Sequence, residues 1–491
     1  MKTNNRYQLL CFTGMTVLVM IVSGCKKLVD VAPPTTSITG ASVYTADATA
    51  AAVMTGMYAN ISTASPVTVG AIPSLSLYPE LSGDELTLWS GVITVNTNSY
   101  YKNSLSANTA GYEYWNTLYP YILRCNLAIE GLNASTSLTP AVKQQLLGEA
   151  IFMRAFFYFY LVNLYGDVPL SLSSDYTATE ALSRAPAGQV YLQIITDLRN
   201  AANLLSPNFL DATVLNNSAE RVRPSKWAAE ALLARTYLYY ANLGNSSYYA
   251  KADSAASVVI ANTAQFSLST INNVFLRAGL GNNEAIWQLQ PVNTNSSYTN
   301  TPDAYFFIIT TAGPGQGANS GAYLSNGLLN SFEAGDLRKM NWVGSVTANG
   351  ILYYYPYKYK LITGPVNEYS MMLRLGEQYL IRAEARAQEG NIAGTQADLN
   401  AIRTRAGLSN TTAATQGTLL TAIMQERRVE LFTELGHRWL DLKRTGTVDL
   451  VMGTGGACAA KGGTWVTTQQ LYPLPPYDLQ LDHNLKQNSG Y

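Results

Sequence analysis

The stretch Gly148–Leu164 is apolar on nearly every side of a helix, and this feature limits the possible folds more than any other. Its large apolar side chains are Ile151, Phe152, Met153, Phe156, Phe157, Phe159, Leu161 and Val162. A helix without a polar face is stable in water only when other elements cover it on all sides. The sequence therefore predicts a buried central helix inside a larger helical body.

Helical periodicity extends over much of the remaining chain. Helices are predicted at 46–60, 112–131, 140–164, 189–205, 224–243, 247–262, 371–390, 392–406 and 417–435. Two stretches, Trp227–Ile260 and Glu377–Arg405, have small residues where tetratricopeptide helix pairs need close approach. Stacked pairs of this kind form a solenoid that presents a surface to a partner. The predicted fold class is mostly α, with tetratricopeptide-like helix pairs forming a scaffold with long loop-rich segments and a few short strands.

Four segments without helical periodicity are too long for ordinary connections. They cover residues 62–111, 206–223, 263–370 and 437–491. Loops of this length in a compact domain tend to be functional. Within them, Ala285–Leu289 and Phe306–Thr310 are predicted as short strands. The alternation of tyrosine with lysine through 353–360 favours a half-buried strand over a platform of stacked rings.

The N-terminus has the pattern of an export signal. Lys2 and Arg6 precede an apolar stretch, residues 9–22, which is too short to span a bilayer comfortably. The four residues from Val22 to Cys25 have the form of a bacterial lipobox, in which the cysteine thiol is acylated. We therefore expect a lipid anchor on Cys25 that holds the protein on a membrane.

The same pattern divides the chain into three predicted parts. Residues 1–24 are a lipoprotein signal peptide that is removed, residues 25–40 are the lipidated cysteine and an extended tether, and residues 41–491 are a single helical domain with a loop-rich face. Cys125 is expected to be a buried small hydrophobe on a helix, and Cys458, in a glycine-rich loop, is expected to be exposed. Two distant cysteines are a weak disulfide signal, so their pairing stays open.

Composition excludes several functional classes. The chain has 32 basic and 32 acidic residues, only 13% of its length, and offers no basic stripe for nucleic acid. Its two histidines, His437 and His483, leave little material for a histidine-based metal site or a Ser-His-Asp triad. Asp84, Glu85 and Asp303 are candidates for a glycosidase pair but are interpreted as solvated or capping carboxylates. No cofactor or metal is predicted, since no run of the DxDxDG type supports calcium.

Charge is concentrated in one stretch, Glu426–Arg444, beside Trp439. In a chain this poor in charge, we interpret the stretch as a partly buried ion-pair network that fixes a helix end. His437, within it, is interpreted as structural.

The segments Glu426–Leu431 and Gly436–Arg444 belong to a wider set of motifs. The others are Gly148–Phe157, Tyr165–Leu170, Arg374–Ala385, Ile402–Leu408, Leu471–Pro475 and Gln487–Tyr491. Together they resemble the SusD/RagB family of outer-membrane nutrient-binding lipoproteins, over nearly the whole mature chain. Leu435, between Glu434 and Gly436, departs from a direct Glu-Gly that many members have, and this departure touches a structural segment.

The resemblance implies a function as well as a fold. It implies a non-catalytic lipoprotein of the outer membrane that faces the cell exterior and docks on a SusC-like TonB-dependent transporter. Its ligand would be an oligosaccharide or polysaccharide nutrient, and the alternative is a peptide or protein bound by the same architecture. No family motif carries the ligand-binding residues.

The physics of sugar recognition gives a separate route to the ligand site. Sugars stack their C–H faces on tryptophan and tyrosine, and their hydroxyls pair with asparagine, glutamine and aspartate. The first candidates in the loops are Trp89, Asn96, Tyr100 and Tyr101, and the second are Tyr298 and Tyr305. Trp115 and Trp227, on helices with apolar neighbours, are assigned to the core.

Overall fold

The structure is a computed structural model that describes residues 40–64, 69–292, 297–315 and 321–491. The predicted signal peptide, Cys25 and the tether up to residue 39 lie outside the described residues.

Helices dominate the fold. Those of eight or more residues are α1 Asp47–Thr63, α2 Glu113–Ala134, α3 Pro140–Tyr165, α4 Ala187–Leu204, α5 Lys226–Asn242, α6 Tyr248–Ile260, α7 Leu375–Gln388, α8 Ile392–Arg405, α9 Gln416–Leu431 and α10 His437–Arg444. The shorter α-helices are Gly40–Val43, Tyr78–Ser82, Val95–Tyr101, Tyr176–Thr179, Pro302–Phe307, Asn326–Leu329, Leu337–Trp342, Val448–Met452, Ala457–Ala460 and Pro476–Leu481. Turns of 3-10 helix lie at Ile72–Ser76, Ala278–Leu280 and Thr467–Gln470. The predicted fold class is confirmed.

Local chemistry sets several helix ends. Pro140 occupies the first turn of α3, where its missing N–H costs nothing, and Gly166 ends the helix with φ of 76°. The side chain of Asn391 caps α8 by accepting from the backbone N–H of Gly394 at 3.0 Å. Thr415 and Thr418 form a reciprocal capping box at the start of α9.

The apolar helix α3 lies at the centre of the fold, as predicted. Among the described residues it alone is long and apolar enough to cross a membrane, but almost all of it is buried inside the protein, as in a core helix. Helices α1, α2, α4 and α5 pack around it. Phe152 and Phe156 contact the buried ring of Trp287 edge to face, with centroids 5.2 and 5.4 Å apart. Trp115 is also buried, as predicted, whereas Trp227 is half-buried at the edge of the core.

Helices α2 to α9 form a continuous array in which each helix packs on the next. The pairs α5/α6 and α7/α8 are the two predicted helix-turn-helix units. Buried ion pairs connect helices of the array. Arg154 on α3 binds Asp197 on α4 at 2.8 Å, and Arg235 on α5 binds Glu377 on α7 at 2.6 Å. The array is the scaffold on which the loops rest.

Three antiparallel two-stranded sheets lie among the described loops. They pair β1 Leu86–Leu88 with β3 Ala322–Leu324, β2 Ala285–Leu289 with β6 Ser370–Arg374, and β4 Val343–Ala348 with β5 Ile351–Pro356. The strand predicted at 285–289 is confirmed.

Four sequence-based assignments differ from the structure. Residues 306–307 end a helix, Pro302–Phe307, because Thr301 caps it by accepting from Ala304 N–H and Pro302 starts it. Residues 371–374 belong to β6, since they pair with β2 instead of extending α7. Residues 432–435 leave α9 in a turn in which Thr433 and Leu435 have φ of 52° and 49°. The tyrosine-rich strand predicted through residue 360 ends at Pro356.

The charged stretch forms a buried network, as predicted, and it extends well beyond one helix end. Arg374 donates to Glu284, Glu430 and Glu434 at 3.0, 2.6 and 2.7 Å. Lys358, in the segment after β5, donates to Glu434 Oε1 and to the carbonyl oxygen of Glu430. These contacts connect the strand segments of the loop region to α9 and the turn that follows it.

His437 lies within this network as a buried ring. Burial, followed by the positive charges of Arg235, Arg427 and Arg374, holds its pKa well below the ordinary value. The imidazole is therefore neutral at physiological pH.

Cys125 and Cys458, the cysteines among the described residues, are both free and buried. This confirms the expectation for Cys125. It contradicts the expected exposure of Cys458, which lies in a short helix, Ala457–Ala460, with Sγ 3.5 Å from the carbonyl oxygen of Lys102.

Candidate ligand-binding site

Five aromatic residues from distant parts of the chain lie on and beside β1, β3 and β5. They are Trp89, Tyr101, Tyr323, Tyr353 and Tyr355, and we refer to them as the aromatic surface. All are half-buried except Tyr353, which is buried. Since half-buried rings keep part of their apolar carbon accessible, this group has the side chains that stack on ligands.

The β1/β3 pair assembles the first half of the aromatic surface. Thr87 lies directly opposite Tyr323 in the register of the two strands. The Tyr101 side chain lies close to the backbone of Leu88, the side chain of Thr87 and Tyr323, all of which influence the pKa of its hydroxyl. Burial raises the pKa of Tyr101, so its hydroxyl stays protonated at physiological pH.

Trp89 follows β1 directly. Its backbone N–H donates to the carbonyl oxygen of Gly321 at 2.8 Å, which continues the β1/β3 pairing by one residue. The indole ring folds over Gly91, where an added Cβ would stand 2.3 Å from the ring carbons. A side chain at position 91 would therefore displace the indole.

The β4/β5 hairpin contributes the second half. Asn349 and Gly350 connect the strands with φ of 49° and 77°, the conformation of a type I′ turn that Asn-Gly favours. Alternation along β5 places Tyr353 and Tyr355 on one face and Tyr354, which is 37% exposed, on the other. The rings of Tyr353 and Tyr323 meet at 78° with centroids 5.3 Å apart.

Charged groups of the scaffold hold the segment that leads into β1. Asp84 accepts from Arg428 and Arg438, and both ion pairs are largely buried. Lys461 Nζ donates to the carbonyl oxygens of Leu81 and Gly83 at 2.8 and 2.7 Å and lies 5.3 Å from the ring centroid of Tyr101. Burial lowers the pKa of Lys461 to about 7.

The carboxylates considered for catalysis have structural surroundings instead of the solvated or capping ones expected. Asp84 forms the ion pairs described above. Glu85 is fully buried, and burial raises its pKa to about 7, although the charges of Arg428 and Arg438 act to lower it. Asp303 is buried in the first turn of its helix, and burial likewise raises its pKa to about 7.

The first group of sequence-predicted site residues separates into two. Trp89 and Tyr101 belong to the aromatic surface. Asn96 and Tyr100, four positions apart, share another face of the helix Val95–Tyr101, and each donates to a carboxylate oxygen of Glu113 at 3.0 Å. Tyr100 has no exposed surface and offers no ring to a ligand in this structure, while Asn96 is half-buried and already paired.

The second group forms a pair of its own. The rings of Tyr298 and Tyr305 lie 31° from parallel with centroids 5.2 Å apart. Tyr298 is buried, and Tyr305, on the helix Pro302–Phe307, is half-buried. Burial makes Tyr298 a packing residue in this structure.

The sequence-based choice of residues omits Tyr323, Tyr353 and Tyr355. A signal for two of them exists in the alternating tyrosines after residue 352, because β5 places Tyr353 and Tyr355 on one face. Tyr323 has no local signal, since only its pairing with Thr87 places it there.

Over the described ranges, no group of three or more histidine, cysteine, aspartate or glutamate side chains is arranged to hold a metal ion.

The fold and this site define a class of protein, an α-helical repeat scaffold that carries an aromatic surface on its loops. Two family models match the chain, one described as starch-binding and associating with the outer membrane, over residues 75–238, and one described as the SusD family, over residues 352–491. The chain belongs to the SusD/RagB family.

Individual relatives agree with this membership. SusD-like protein P2 of Formosa agariphila is 27% identical over 427 residues, which are 77% of this chain and 80% of the relative. A SusD-like protein of Bacteroides ovatus is 24% identical over 67% of this chain and 64% of its own length.

Solved structures share the fold. A laminarin binding SusD-like protein superposes with a TM-score of 0.72 at 23% identity, covering 90% of this chain and 99% of that one. Surface glycan-binding protein A from Bacteroides uniformis superposes with a TM-score of 0.73 at 20% identity, covering 89% and 98%.

Proposed function

We propose that this protein is a non-catalytic, lipid-anchored surface protein that binds oligosaccharide or polysaccharide nutrients and passes them to a SusC-like TonB-dependent transporter in the outer membrane. The observation that carries the proposal is the aromatic surface. Its rings come from three strands and a loop helix, and a rigid helical scaffold holds them.

Neutral sugars match such a surface physically. A pyranose ring has an apolar C–H face that stacks on indole and phenol rings, while its hydroxyls require neutral donors and acceptors. Trp89, Tyr101 and Tyr323 offer ring area, and the tyrosine hydroxyls, protonated at physiological pH, offer both donor and acceptor capacity. The binding site for a long glycan can be open, because only a few sugar units need to contact it.

Binding without cleavage fits the state of the carboxylates. A glycosidase needs two carboxyl groups that flank the scissile bond. Asp84 is committed to two arginines, while Glu85 and Asp303 are buried, so none of the three lies open to a substrate. The names of the relatives and neighbours, several of them glycan-binding, support the same interpretation.

The first experiment is affinity electrophoresis of the soluble chain, residues 26–491, in gels that contain starch, laminarin or other neutral polysaccharides. One polysaccharide is expected to retard the protein. Trp89→Ala and Tyr355→Ala should each weaken binding about fivefold or more, since stacking contributes about 1 kcal/mol beyond area burial. Tyr354→Ala, on the opposite face of β5, is the matched control and should keep the affinity.

Two results would overturn the proposal. One is capture of peptides from a protein digest with no retardation by any polysaccharide, which would favour the peptide-binding alternative. The other is release of shorter sugars from the bound polysaccharide, which would make the protein an enzyme.

The anchor and the transporter are tested separately. Cys25→Ala should move the protein from the outer-membrane fraction to the soluble fraction and remove the acyl mass from the N-terminal peptide. Intact lipidated protein, purified in mild detergent, should bring down a TonB-dependent transporter; its absence in repeated purifications would contradict the delivery step.

A further inference from the structure

A cavity of about 740 Å³ lies apart from the aromatic surface and shares no lining residue with it. It lies between the first turns of α2, the turn that follows α3 and the C-terminal helix Pro476–Leu481. The lining residues that bear on its chemistry are Trp115, Tyr119, Glu180, Asp478, Asp482 and His483. Its volume is that of a pocket for a small ligand.

Two aromatic rings form one wall of this cavity. The rings of Trp115 and Tyr119 meet at 53° with centroids 4.7 Å apart. Trp115 Nε1–H donates to Asp478 Oδ2 at 2.8 Å, and the Tyr119 hydroxyl donates to the carbonyl oxygen of Pro169 at 3.0 Å. Both polar hydrogens are used within the protein and Trp115 is buried, so the half-buried ring of Tyr119 is the one that offers carbon surface to a ligand.

The lining carries three carboxylates and one basic side chain, His483. Glu180, Asp478 and Asp482 are acidic, and among the described lining residues there is no lysine or arginine. The nearby guanidinium of Arg184 donates to the carbonyl oxygens of Asp167, Lys486 and Tyr165, which ties it to the main chain.

Hydrogen-bond donors in the lining are largely used as well. Asn484 Nδ2 donates to the carbonyl oxygen of Ala181 at 2.9 Å, and Thr179 Oγ1 donates to the carbonyl oxygen of Asp175 at 3.1 Å. Among the side-chain donors of the described lining, the Ser171 hydroxyl and the His483 ring remain for a ligand, beside the acceptors of three carboxylates. A neutral sugar needs both kinds of partner, whereas an ammonium group needs acceptors, negative charge and aromatic faces.

We propose that this cavity binds a small organic cation, an ammonium group carried on an apolar or sugar body. The Tyr119 ring contacts the cation through its π-face, and Glu180 and Asp482 provide the opposite charge at the rim. The site is separate from the aromatic surface and does not depend on it.

Calorimetry with matched ligand pairs tests the proposal on the soluble chain, residues 26–491. Choline is compared with its neutral isostere 3,3-dimethylbutan-1-ol, and glucosamine with N-acetylglucosamine, so that the arms distinguish a quaternary amine from an amino sugar. In at least one pair the charged member should bind about fivefold or more tightly than the neutral member. Equal binding of both members in each pair, or no binding of either cation, would overturn the proposal.

Variants then locate the binding. Tyr119→Leu should lower the affinity for the cation about fivefold, while Tyr119→Phe, which keeps the ring, should restore it. Asp482→Asn should weaken binding a few-fold, and Glu389→Gln, at the C-cap of α7 and outside the lining, should leave it unchanged. An unchanged affinity in Tyr119→Leu, or loss of cation binding in Trp89→Ala, would place the cation elsewhere and sink the inference.

Discussion

Arg438 on α10 donates through Nε to Oδ1 of Asp84 at 2.7 Å, and its Nη2 lies 3.1 Å from Oδ2. Asp84 lies two positions before β1, and Trp89 follows the end of that strand. Arg428 on α9 donates to the same carboxylate at 2.8 Å. Two arginines of the charged stretch thus hold the segment that leads to Trp89, so the scaffold supports this part of the aromatic surface.

Asp84→Ala should lower the free energy of unfolding by about 3 kcal/mol, because it leaves two largely buried guanidinium groups without their carboxylate. Urea denaturation measures the change. Glu333→Gln is the control, since Glu333 pairs with Arg403 at the surface and such pairs contribute about 1 kcal/mol or less. Equal losses in the two variants would show that the Asp84 pairs do not stabilise the fold as buried pairs.

Tyr100 and Tyr101 are adjacent but have opposite roles. Tyr100→Leu should cost about 2 kcal/mol of stability, since it removes a buried ring and the hydrogen bond to Glu113, while the folded variant keeps its affinity for glycan. Tyr101→Leu should have the smaller effect on stability and lower the affinity. Thermal melts and affinity electrophoresis of the two variants check this, and a loss of glycan affinity only in Tyr100→Leu would contradict the site described above.

The helical scaffold could be predicted from the sequence because its signals are local. The apolar positions of α3 recur at helical spacing within one stretch, and Gly390 and Gly407 mark the ends of α7 and α8. The charged stretch could be interpreted as a network because charge is rare in this chain.

The ligand site could be predicted only in part, because long-range contacts decide it. Tyr323 joins the aromatic surface because it pairs with Thr87, and no periodicity in the sequence predicts that contact. Tyr100 and Tyr101 differ by one position on the same short helix, and only the position of Glu113, which accepts from Tyr100, shows which ring points inward. The aromatic composition of a loop thus indicates the region of a candidate site but does not show which of its aromatic residues are exposed there.

Asp303 should make stability depend on pH. Burial raises the pKa of this carboxyl to about 7, whereas the ordinary value is about 4, so the folded state binds the proton more tightly than the unfolded state does. Its contribution is therefore fully present below about pH 4 and is lost as pH rises towards 7 and above.

Asp303→Asn removes this contribution and should gain stability relative to the unmodified protein between pH 5 and pH 8. The gain is expected to be a few kcal/mol, since one unit of pKa shift corresponds to about 1.4 kcal/mol. Urea denaturation at both pH values measures it. Glu180→Gln removes an exposed carboxyl and should show no comparable gain; a difference between Asp303→Asn and the unmodified protein that stays constant with pH would refute the prediction.

The two thiols should be inaccessible in the folded protein. Cys125 and Cys458 are both buried and free, and burial raises the pKa of each, so little thiolate is available for reaction. In the soluble chain, residues 26–491, a thiol reagent should label neither cysteine before unfolding and both in denaturant. Cys458→Ser and Cys125→Ser assign the signal, since each should leave one reactive thiol after unfolding. Rapid labelling of Cys458 in the native protein would show that this residue is exposed, as the glycine-rich sequence suggests. Absence of labelling in denaturant without reductant would mean that the two residues form a disulfide.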